Sequence, residues 1–164
     1  CVMGQAAADE NLSGKYRYDP RACHCAVATG SGTELRPIKG LKSHLALSKP
    51  SLSISTAAAY KGIDEIAIPK HPNTEEMVKA LEKENSKLIK KNLINVLENY
   101  ALKEYPTVVY TKDKMQEMCK PDSVLMSGSG PTLFALCESR SEAQRVCETM
   151  KTYNRESFWT RTTY

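Results

Sequence analysis

The sequence lacks the long apolar segment that a membrane-spanning protein needs. None of its apolar runs approaches the roughly 20 residues required to cross a bilayer. Its first ten residues, CVMGQAAADE, have no basic region followed by an apolar stretch, so no secretory signal is expected there. A length of 164 residues suits one domain, or one and a half. With 41% hydrophobic and 26% charged residues, the composition is typical of a soluble globular protein.

Concentrated positive charge is also missing. The formal net charge is only +4, and the basic residues are spread along the chain. The densest run, Lys87-Leu-Ile-Lys90-Lys91, has helical spacing and indicates a solvated helix face. Nucleic-acid binding is therefore not expected.

The six cysteines form no recognisable metal or redox motif. Cys23-His24-Cys25 matches neither a standard zinc spacing nor a CxxC pair, and a tetrahedral site needs four ligands. The three cysteines nearest the carboxyl end stand among apolar residues and are predicted to be reduced core thiols. We therefore expect no bound metal in this chain and a reducing, cytoplasmic location.

Hydrophobic periodicity predicts an alternation of strands and helices from residue 32 onward. Strands are predicted at 33–38, 41–48, 123–126, 132–137 and 158–163. Helices are predicted from 56, from 74 to 83, over 85–104 as the longest, over 109–119, and from 140 to 153. Asn73 with Glu76, and Ser139 with Glu142, have the spacing of a capping box at two of these helix starts. This order predicts an α+β, ferredoxin-like two-layer sandwich, with helical layers on one face of a mainly antiparallel sheet. Residues 6–31 show neither period and are expected to be a loop or insertion.

A glycine-rich stretch interrupts two predicted strands in VLMSGSGPTLFALC, residues 124–137. Gly128 and Gly130 permit positive φ and a close approach of a ligand or another backbone segment. Ser127 and Ser129 add hydroxyls, and successive N–H groups in such a loop can form an anion nest. No Lys-Ser/Thr pair follows, which excludes a Walker A loop, and a strand rather than a helix follows, which excludes a dinucleotide fingerprint. From the residues alone, a bulged hairpin and a phosphate-proximal loop both stay open.

Two longer blocks carry a family resemblance. The unit around Met126-Ser-Gly-Ser-Gly-Pro-Thr132 resembles the third signature of the GHMP kinase superfamily. Leu47-Ser-Lys-Pro-Ser-Leu-Ser-Ile-Ser-Thr-Ala-Ala-Ala-Tyr60 resembles a second conserved block, and His71-Pro-Asn-Thr a weaker third. Within the superfamily, the blocks are most similar to members that act on 4-diphosphocytidyl-2-C-methyl-D-erythritol in non-mevalonate isoprenoid synthesis. The resemblance covers about residues 1–5 and 32–164.

The resemblance implies a fold, an activity and a small set of site residues. Residues 1–31 would be the end of an N-terminal domain plus an insertion, and 32–164 the GHMP kinase C-terminal domain. Gly128, Ser129 and Gly130 would line the phosphate end of the cleft, Tyr60 would stack on the substrate's cytosine, and Thr56 would lie near its polar chain. ATP and Mg would be the cofactors. The chain would be the substrate-binding half of a kinase that phosphorylates the substrate's 2-hydroxyl.

Part of the family pattern has no counterpart in these residues. The ATP-binding glycine-rich loop, the catalytic Lys and the catalytic Asp all lie upstream in family members, so no catalytic residue is assigned here. We expect this chain to be inactive alone, with ATP held through the missing N-terminal domain. Two other functions stay open: a GHMP kinase for another small hydroxyl substrate, and a non-catalytic ferredoxin-like ligand-binding module.

Several single residues also have plain structural interpretations. Tyr60 could be a core aromatic residue on a short helix. His44, His71 and Trp159 are more typical of a sheet residue, a turn residue and a packing residue, respectively. The carboxylates that flank the glycine-rich strands, at 122 and 138, are expected to mark strand ends rather than form a catalytic pair.

Overall fold

A computed structural model describes residues 25–29 and 34–162 of the chain. The strands are β1 Ala26–Thr29, β2 Glu34–Pro37, β3 His44–Lys49, β4 Val124–Met126, β5 Leu133–Cys137 and β6 Glu156–Arg161. The helices are α1 Thr56–Asp64, α2 Thr74–Glu82, α3 Ser86–Lys91, α4 Leu97–Glu104, α5 Pro106–Met118 and α6 Arg140–Met150. A 3-10 turn, Pro121–Ser123, leads into β4. None of the helices in the described part of the chain is long and apolar enough to cross a membrane.

The main sheet has the ferredoxin-like strand order. Its four strands are arranged β4-β5-β3-β6, and every neighbouring pair is antiparallel. In the centre, Ala46 of β3 lies opposite Ala135 of β5 on one side and Trp159 of β6 on the other. The predicted α+β sandwich of ferredoxin-like type is therefore confirmed.

One face of this sheet carries the main hydrophobic core. Alternate strand residues such as Ala46, Leu133 and Ala135 point to this face and pack against buried residues of α1, α4, α5 and α6. Met115 of α5 and Met150 of α6 are completely buried there. Full burial of such a side chain contributes roughly 1.5–3 kcal/mol relative to leaving it exposed. This core fixes the helices that approach the glycine-rich loop.

A second, smaller cluster covers the opposite face of the sheet. Leu136 of β5 packs with Met77 and Leu81 of α2 and with Ile89 of α3. Because side chains alternate along a strand, Leu136 and its neighbour Ala135 point to opposite faces. The helices thus lie on both faces, whereas the sequence pattern predicted helical layers on one face only.

The predicted long helix over 85–104 is wrong, because the chain breaks it into two helices. α3 ends at Lys91 and α4 begins at Leu97. In the break, Asn92 Nδ2 donates to the carbonyl of Leu88 at 3.0 Å, and Asn95 Oδ1 accepts from the Leu97 amide at 3.1 Å. Asparagine side chains that bond to nearby backbone groups compete with helix continuation. α5, at 13 residues, is longer than either piece.

Several helix starts follow their capping signals. Asn73 Oδ1 accepts from the Glu76 amide at 3.0 Å at the start of α2. Ser139 Oγ accepts from the Glu142 amide at 3.1 Å at the start of α6. Both N-cap bonds are confirmed, whereas Glu142 Oε2 accepts from the Glu138 amide at 2.6 Å and not from the Ser139 amide that a capping box would use.

The stretch 6–31, expected to be a loop, contains a strand. β1 pairs antiparallel with β2, with Val27 opposite Arg36, and the two form a sheet of their own. A hydrogen bond of 3.0 Å from the Ile38 amide to the Cys25 carbonyl extends the pairing. The hairpin lies on both sides of the predicted domain boundary at 31/32, and that boundary stays a prediction.

Candidate functional site

The glycine-rich loop between β4 and β5 is a tight turn that needs its glycines. Gly128 has φ +58° and Gly130 has φ +84°, and the Gly130–Pro131 peptide is cis. The Ser127 amide donates to the Thr132 carbonyl at 2.8 Å, and the Gly130 amide donates to the Ser127 carbonyl at 3.0 Å. A Cβ on Gly130 would lie 2.5 Å from Met126 Sδ, whereas a Cβ on Gly128 would meet nothing within 4 Å. Gly130 is thus required by packing, and the space beside Gly128 is open.

Two amides of this loop are free within the described part of the chain. The N–H groups of Gly128 and Ser129 donate to no group among residues 25–29 and 34–162. Successive unpaired amides in a turn can form a concave site for an anion. The arrangement can therefore accept a phosphate oxygen.

The start of α1 reaches this loop directly. Thr56 Oγ1 lies 3.0 Å from Ser129 Oγ, which joins two residues that are 73 positions apart in sequence. Ser55 caps the helix by accepting from the Ala58 amide at 3.3 Å. The amino end of a helix carries a partial positive charge that favours anions. The structure therefore brings together two predicted site segments, the loop and α1.

Tyr60 lies one turn further along α1. Residues four apart in a helix share a face, so Tyr60 and Thr56 lie on the same side of α1. The Tyr60 side chain is 58% exposed. The alternative interpretation of Tyr60 as a core aromatic residue is therefore wrong. The exposed ring can offer a flat face to a ligand.

Sequence reasoning missed a polar network in which Asn95 and Glu98, at the start of α4, hold the backbone of the glycine-rich loop and of the residue before it. Asn95 Nδ2 donates to the carbonyls of Met126 and Gly128, at 2.9 and 2.8 Å. Glu98 Oε1 accepts from the Met126 amide at 2.9 Å, and Glu98 Oε2 pairs with Lys112 Nζ at 2.6 Å. The four asparagines within the predicted helix 85–104 were an available signal, because asparagine is a poor helix former.

Two thiols, the half-buried Cys119 and the buried Cys137, lie at the end of the β4–β5 pair that is far from the loop. A hydrogen bond with Cys137, together with burial, raises the pKa of the Cys119 thiol well above its usual range. Burial also raises the pKa of Cys147. The residues that come directly after Cys119 and Cys137 in the sequence form an ion pair, in which Lys120 Nζ lies 2.6 Å from Glu138 Oε1. Cys137 and Cys147 are buried free thiols, as predicted, whereas the free thiol Cys119 is only half-buried.

The other candidates have structural roles or fall outside the described residues. Glu138 is bound by Lys120, and this hydrogen bond lowers the pKa of the carboxyl. Trp159 packs against the main core, with the Arg140 guanidinium 4.9 Å from its ring. In residues 25–29 and 34–162, no three His, Cys, Asp or Glu side chains are grouped to hold a metal. Cys23 and His24 lie outside those residues.

Comparison with known proteins places this arrangement in a family. Residues 68–156, more than half of the chain, match the family described as GHMP kinases C terminal. The chain belongs to the GHMP kinase family. The matched GHMP segment contains the glycine-rich loop, the supporting network and helices α2 to α6, while β3 and α1 precede it.

Curated relatives agree with this family assignment. The GHMP chain is 38% identical over 138 residues to a 4-diphosphocytidyl-2-C-methyl-D-erythritol kinase of Clostridium novyi (strain NT), covering 84% of this chain and 49% of that protein. It is 41% identical over 122 residues to the protein of the same name from Geobacillus sp. (strain WCH70), covering 74% and 42%. The chain thus spans about half the length of the curated relatives it matches.

Solved structures support the GHMP fold. A crystal structure of 4-(cytidine 5'-diphospho)-2C-methyl-D-erythritol kinase is similar with a TM-score of 0.67 and 23% identity, over 83% of this chain and 48% of that one. A homoserine kinase from Cytophaga hutchinsonii is similar with a TM-score of 0.60 and 18% identity, over 79% and 44%. At these identities the likeness establishes the fold alone.

Proposed function

We propose that this chain is the C-terminal, substrate-binding half of an ATP-dependent kinase that phosphorylates the 2-hydroxyl of 4-diphosphocytidyl-2-C-methyl-D-erythritol, in non-mevalonate isoprenoid synthesis. The proposal rests on the names of the relatives at 38–41% identity, together with the geometry at the start of α1. There, the exposed ring of Tyr60 and the hydroxyl of Thr56 lie on the helix face that leads to the glycine-rich loop. A substrate lying along this face would have its base at Tyr60 and its phosphates toward the glycine-rich loop.

The residues fit a substrate that carries a base and phosphates. An exposed tyrosine ring suits stacking on cytosine, which is worth roughly 1–3 kcal/mol per base. The free amides of Gly128 and Ser129 suit a phosphate oxygen, and Gly130 keeps the turn tight enough to present them. The Thr56 and Ser129 hydroxyls, 3.0 Å apart, would add polar contacts at the junction.

ATP would supply the transferred phosphoryl group, and Mg would neutralise its phosphate charge. The described residues include no group of three acidic or other metal-ligating side chains, so Mg would be held by the nucleotide phosphates and by residues outside the described part of the chain. We propose that the chain's role is to bind and orient the substrate, that it is inactive alone, and that it works in the cytoplasm, where its free thiols stay reduced.

The test is a phosphoryl-transfer assay on a completed enzyme. In a chimera, this chain replaces the aligned part of the Clostridium novyi relative, and ADP release is followed with Mg-ATP and each of three substrates: 4-diphosphocytidyl-2-C-methyl-D-erythritol, homoserine and mevalonate. The intact relative is the positive control, and this chain alone is the negative control. We expect turnover by the chimera with the cytidyl substrate only.

Other results would change the assignment. Turnover with homoserine or mevalonate but not with the cytidyl substrate would make the chain a GHMP kinase half for another hydroxyl. A chimera that unfolds cooperatively in urea yet turns over none of the three substrates would contradict the proposed kinase role and favour a non-catalytic module.

A further inference from the structure

Asn95, which lies just before α4, makes three side-chain hydrogen bonds, one to the start of α4 and two to the segment that holds the glycine-rich loop. Its Oδ1 accepts from the Leu97 amide at the start of α4, which satisfies one helix-end donor. Its Nδ2 is free for another task and donates to the carbonyls of Met126 and Gly128, at 2.9 and 2.8 Å. One side chain thus holds both the end of β4 and the middle of the loop.

The bond to the Gly128 carbonyl fixes the direction of the Ser129 amide. The Gly128 carbonyl and the Ser129 N–H belong to one planar peptide unit, and in the trans form they point in opposite directions. The Gly128–Ser129 peptide is trans, since Gly130–Pro131 is the cis bond found among the described residues. While Asn95 holds the carbonyl, the Ser129 N–H points away from Asn95. If this peptide flipped, a carbonyl oxygen would take the place of the N–H on the side away from Asn95.

A buried ion pair braces the same segment. Glu98 is 8% exposed, and its two oxygens have separate partners, the Met126 amide at 2.9 Å and Lys112 Nζ at 2.6 Å. Burying a carboxylate is costly unless it is paired and hydrogen-bonded. Glu98 meets both conditions, and one of its bonds holds Met126, the residue immediately before the loop. Asn95 therefore acts on a segment whose start is already held in place.

We propose that Asn95 is a positioning residue: it fixes the Gly128–Ser129 peptide plane so that the Ser129 N–H is presented to a phosphate oxygen. This role in substrate binding rests on the proposed kinase function. The geometry of the loop can be tested without kinase activity. The phosphate could belong to the nucleotide or to the diphosphate of the substrate. Both offer the same chemistry, an anionic oxygen that accepts a hydrogen bond.

Three variants separate loop positioning from helix capping. Asn95→Asp keeps an oxygen for the Leu97 amide but loses both donors to the loop. Asn95→Ser also keeps a capping oxygen, is too short to bridge two carbonyls, and adds no negative charge. The matched control is Asn99→Asp, because Asn99 lies in the first turn of α4 and its Nδ2 donates, among the described residues, only to the Val96 carbonyl, at 2.9 Å. A urea unfolding curve for each variant verifies that it is folded.

The first readout uses the whole 164-residue chain and inorganic pyrophosphate. Amide NMR follows the Gly128 and Ser129 signals during the titration. We expect pyrophosphate to shift both signals in the unsubstituted chain and in Asn99→Asp, and we expect its Kd to rise at least tenfold in both Asn95 variants. Unchanged Kd values in Asn95→Ser, or no shift of these amides in the unsubstituted chain, would overturn the proposal.

The second readout is the chimera described above. Asn95→Ser is expected to raise KM at least tenfold for ATP or for the cytidyl substrate, with kcat within about twofold, and the affected KM identifies which phosphate meets the loop. The proposal would be contradicted if the Asn95→Ser chimera had the same KM for ATP and the same KM for the cytidyl substrate as the unsubstituted chimera. If the unsubstituted chimera is inactive, the kinase assignment fails, and the pyrophosphate titration still decides the role of Asn95.

Discussion

Replacing each loop glycine by alanine should separate backbone strain from packing. Both Gly128 and Gly130 have positive φ, so alanine is strained at either position. The two positions differ in their surroundings. A Cβ at 130 would lie 2.5 Å from Met126 Sδ and 3.2 Å from Ile54 Cδ1, whereas a Cβ at 128 would meet nothing within 4 Å. Met126 is itself 1% exposed, so its side chain has little free space to move into.

These contacts set the expected sizes. Left-handed strain alone costs an L residue roughly 1–2 kcal/mol, which is the expectation for Gly128→Ala. For Gly130→Ala, overpacking against Met126 adds about 1–3 kcal/mol to a similar strain. The gain from a less flexible unfolded chain is the same for both substitutions and cancels in the comparison. Gly130→Ala should therefore be less stable than Gly128→Ala by about 1–3 kcal/mol.

Urea unfolding followed by circular dichroism measures this difference. With a slope of about 1–3 kcal/mol per molar urea, the two midpoints should differ by roughly 1 M, with equal slopes. Equal midpoints, or a lower midpoint for Gly128→Ala, would refute the description of Gly130 as the packed position of the loop.

Three further predictions concern the helices and thiols. Gly62→Ala should lower the free energy of unfolding by about 1–3 kcal/mol, because the added Cβ would lie 2.1 Å from the Tyr100 ring between α1 and α4. A stabilised variant in urea would contradict that packing. Lys112→Met should cost about 3–5 kcal/mol, since it leaves the Glu98 carboxylate buried without its cation. A loss below about 1 kcal/mol would show that this carboxylate is solvated. At pH 8, native Cys119 should be alkylated by iodoacetamide at least tenfold more slowly than in urea, because its raised pKa keeps the thiol protonated. Equal rates by mass spectrometry would refute this.

Local signals in the sequence predicted the elements that local chemistry decides. The caps at Asn73 and Ser139 are confirmed because each needs only its own side chain and an amide three residues later. The strands on both sides of the glycine-rich loop are confirmed to within one residue, as Val124–Met126 and Leu133–Cys137. α5 begins three residues earlier than predicted, at Pro106, where a proline suits the first helical position.

Hydrophobic periodicity failed to separate α3 from α4, because the apolar residues of the two helices continue one helical period. Ile89 of α3 packs in the cluster on one face of the sheet, and Leu97 and Ala101 of α4 pack in the core on the other. Their spacing continues the helical period, so the pattern alone could not reveal a change of direction. The break depends on Asn92 and Asn95, whose side chains bond to the backbone.

Long-range contacts at the site could not be predicted from the residues themselves. The approach of Thr56 to Ser129 spans 73 positions, and the bonds from Asn95 to the loop span 31 and 33. The resemblance named Thr56, Tyr60 and the loop as a site, but it said nothing of the polar network beneath. Only the packing of α4 against the sheet places Asn95 there.

The most direct test of the proposed substrate-binding role is the KM of the chimera for 4-diphosphocytidyl-2-C-methyl-D-erythritol after substitution of Tyr60. The 58% exposed ring packs little against the protein, so Tyr60→Ala should change stability by less than about 0.5 kcal/mol. Loss of a base stack worth roughly 1–3 kcal/mol should raise this KM about 5- to 150-fold. Tyr60→Phe, which keeps the ring, should have the KM of the unsubstituted chimera, and the KM for ATP should not change. An unchanged KM for the cytidyl substrate in Tyr60→Ala would contradict the account.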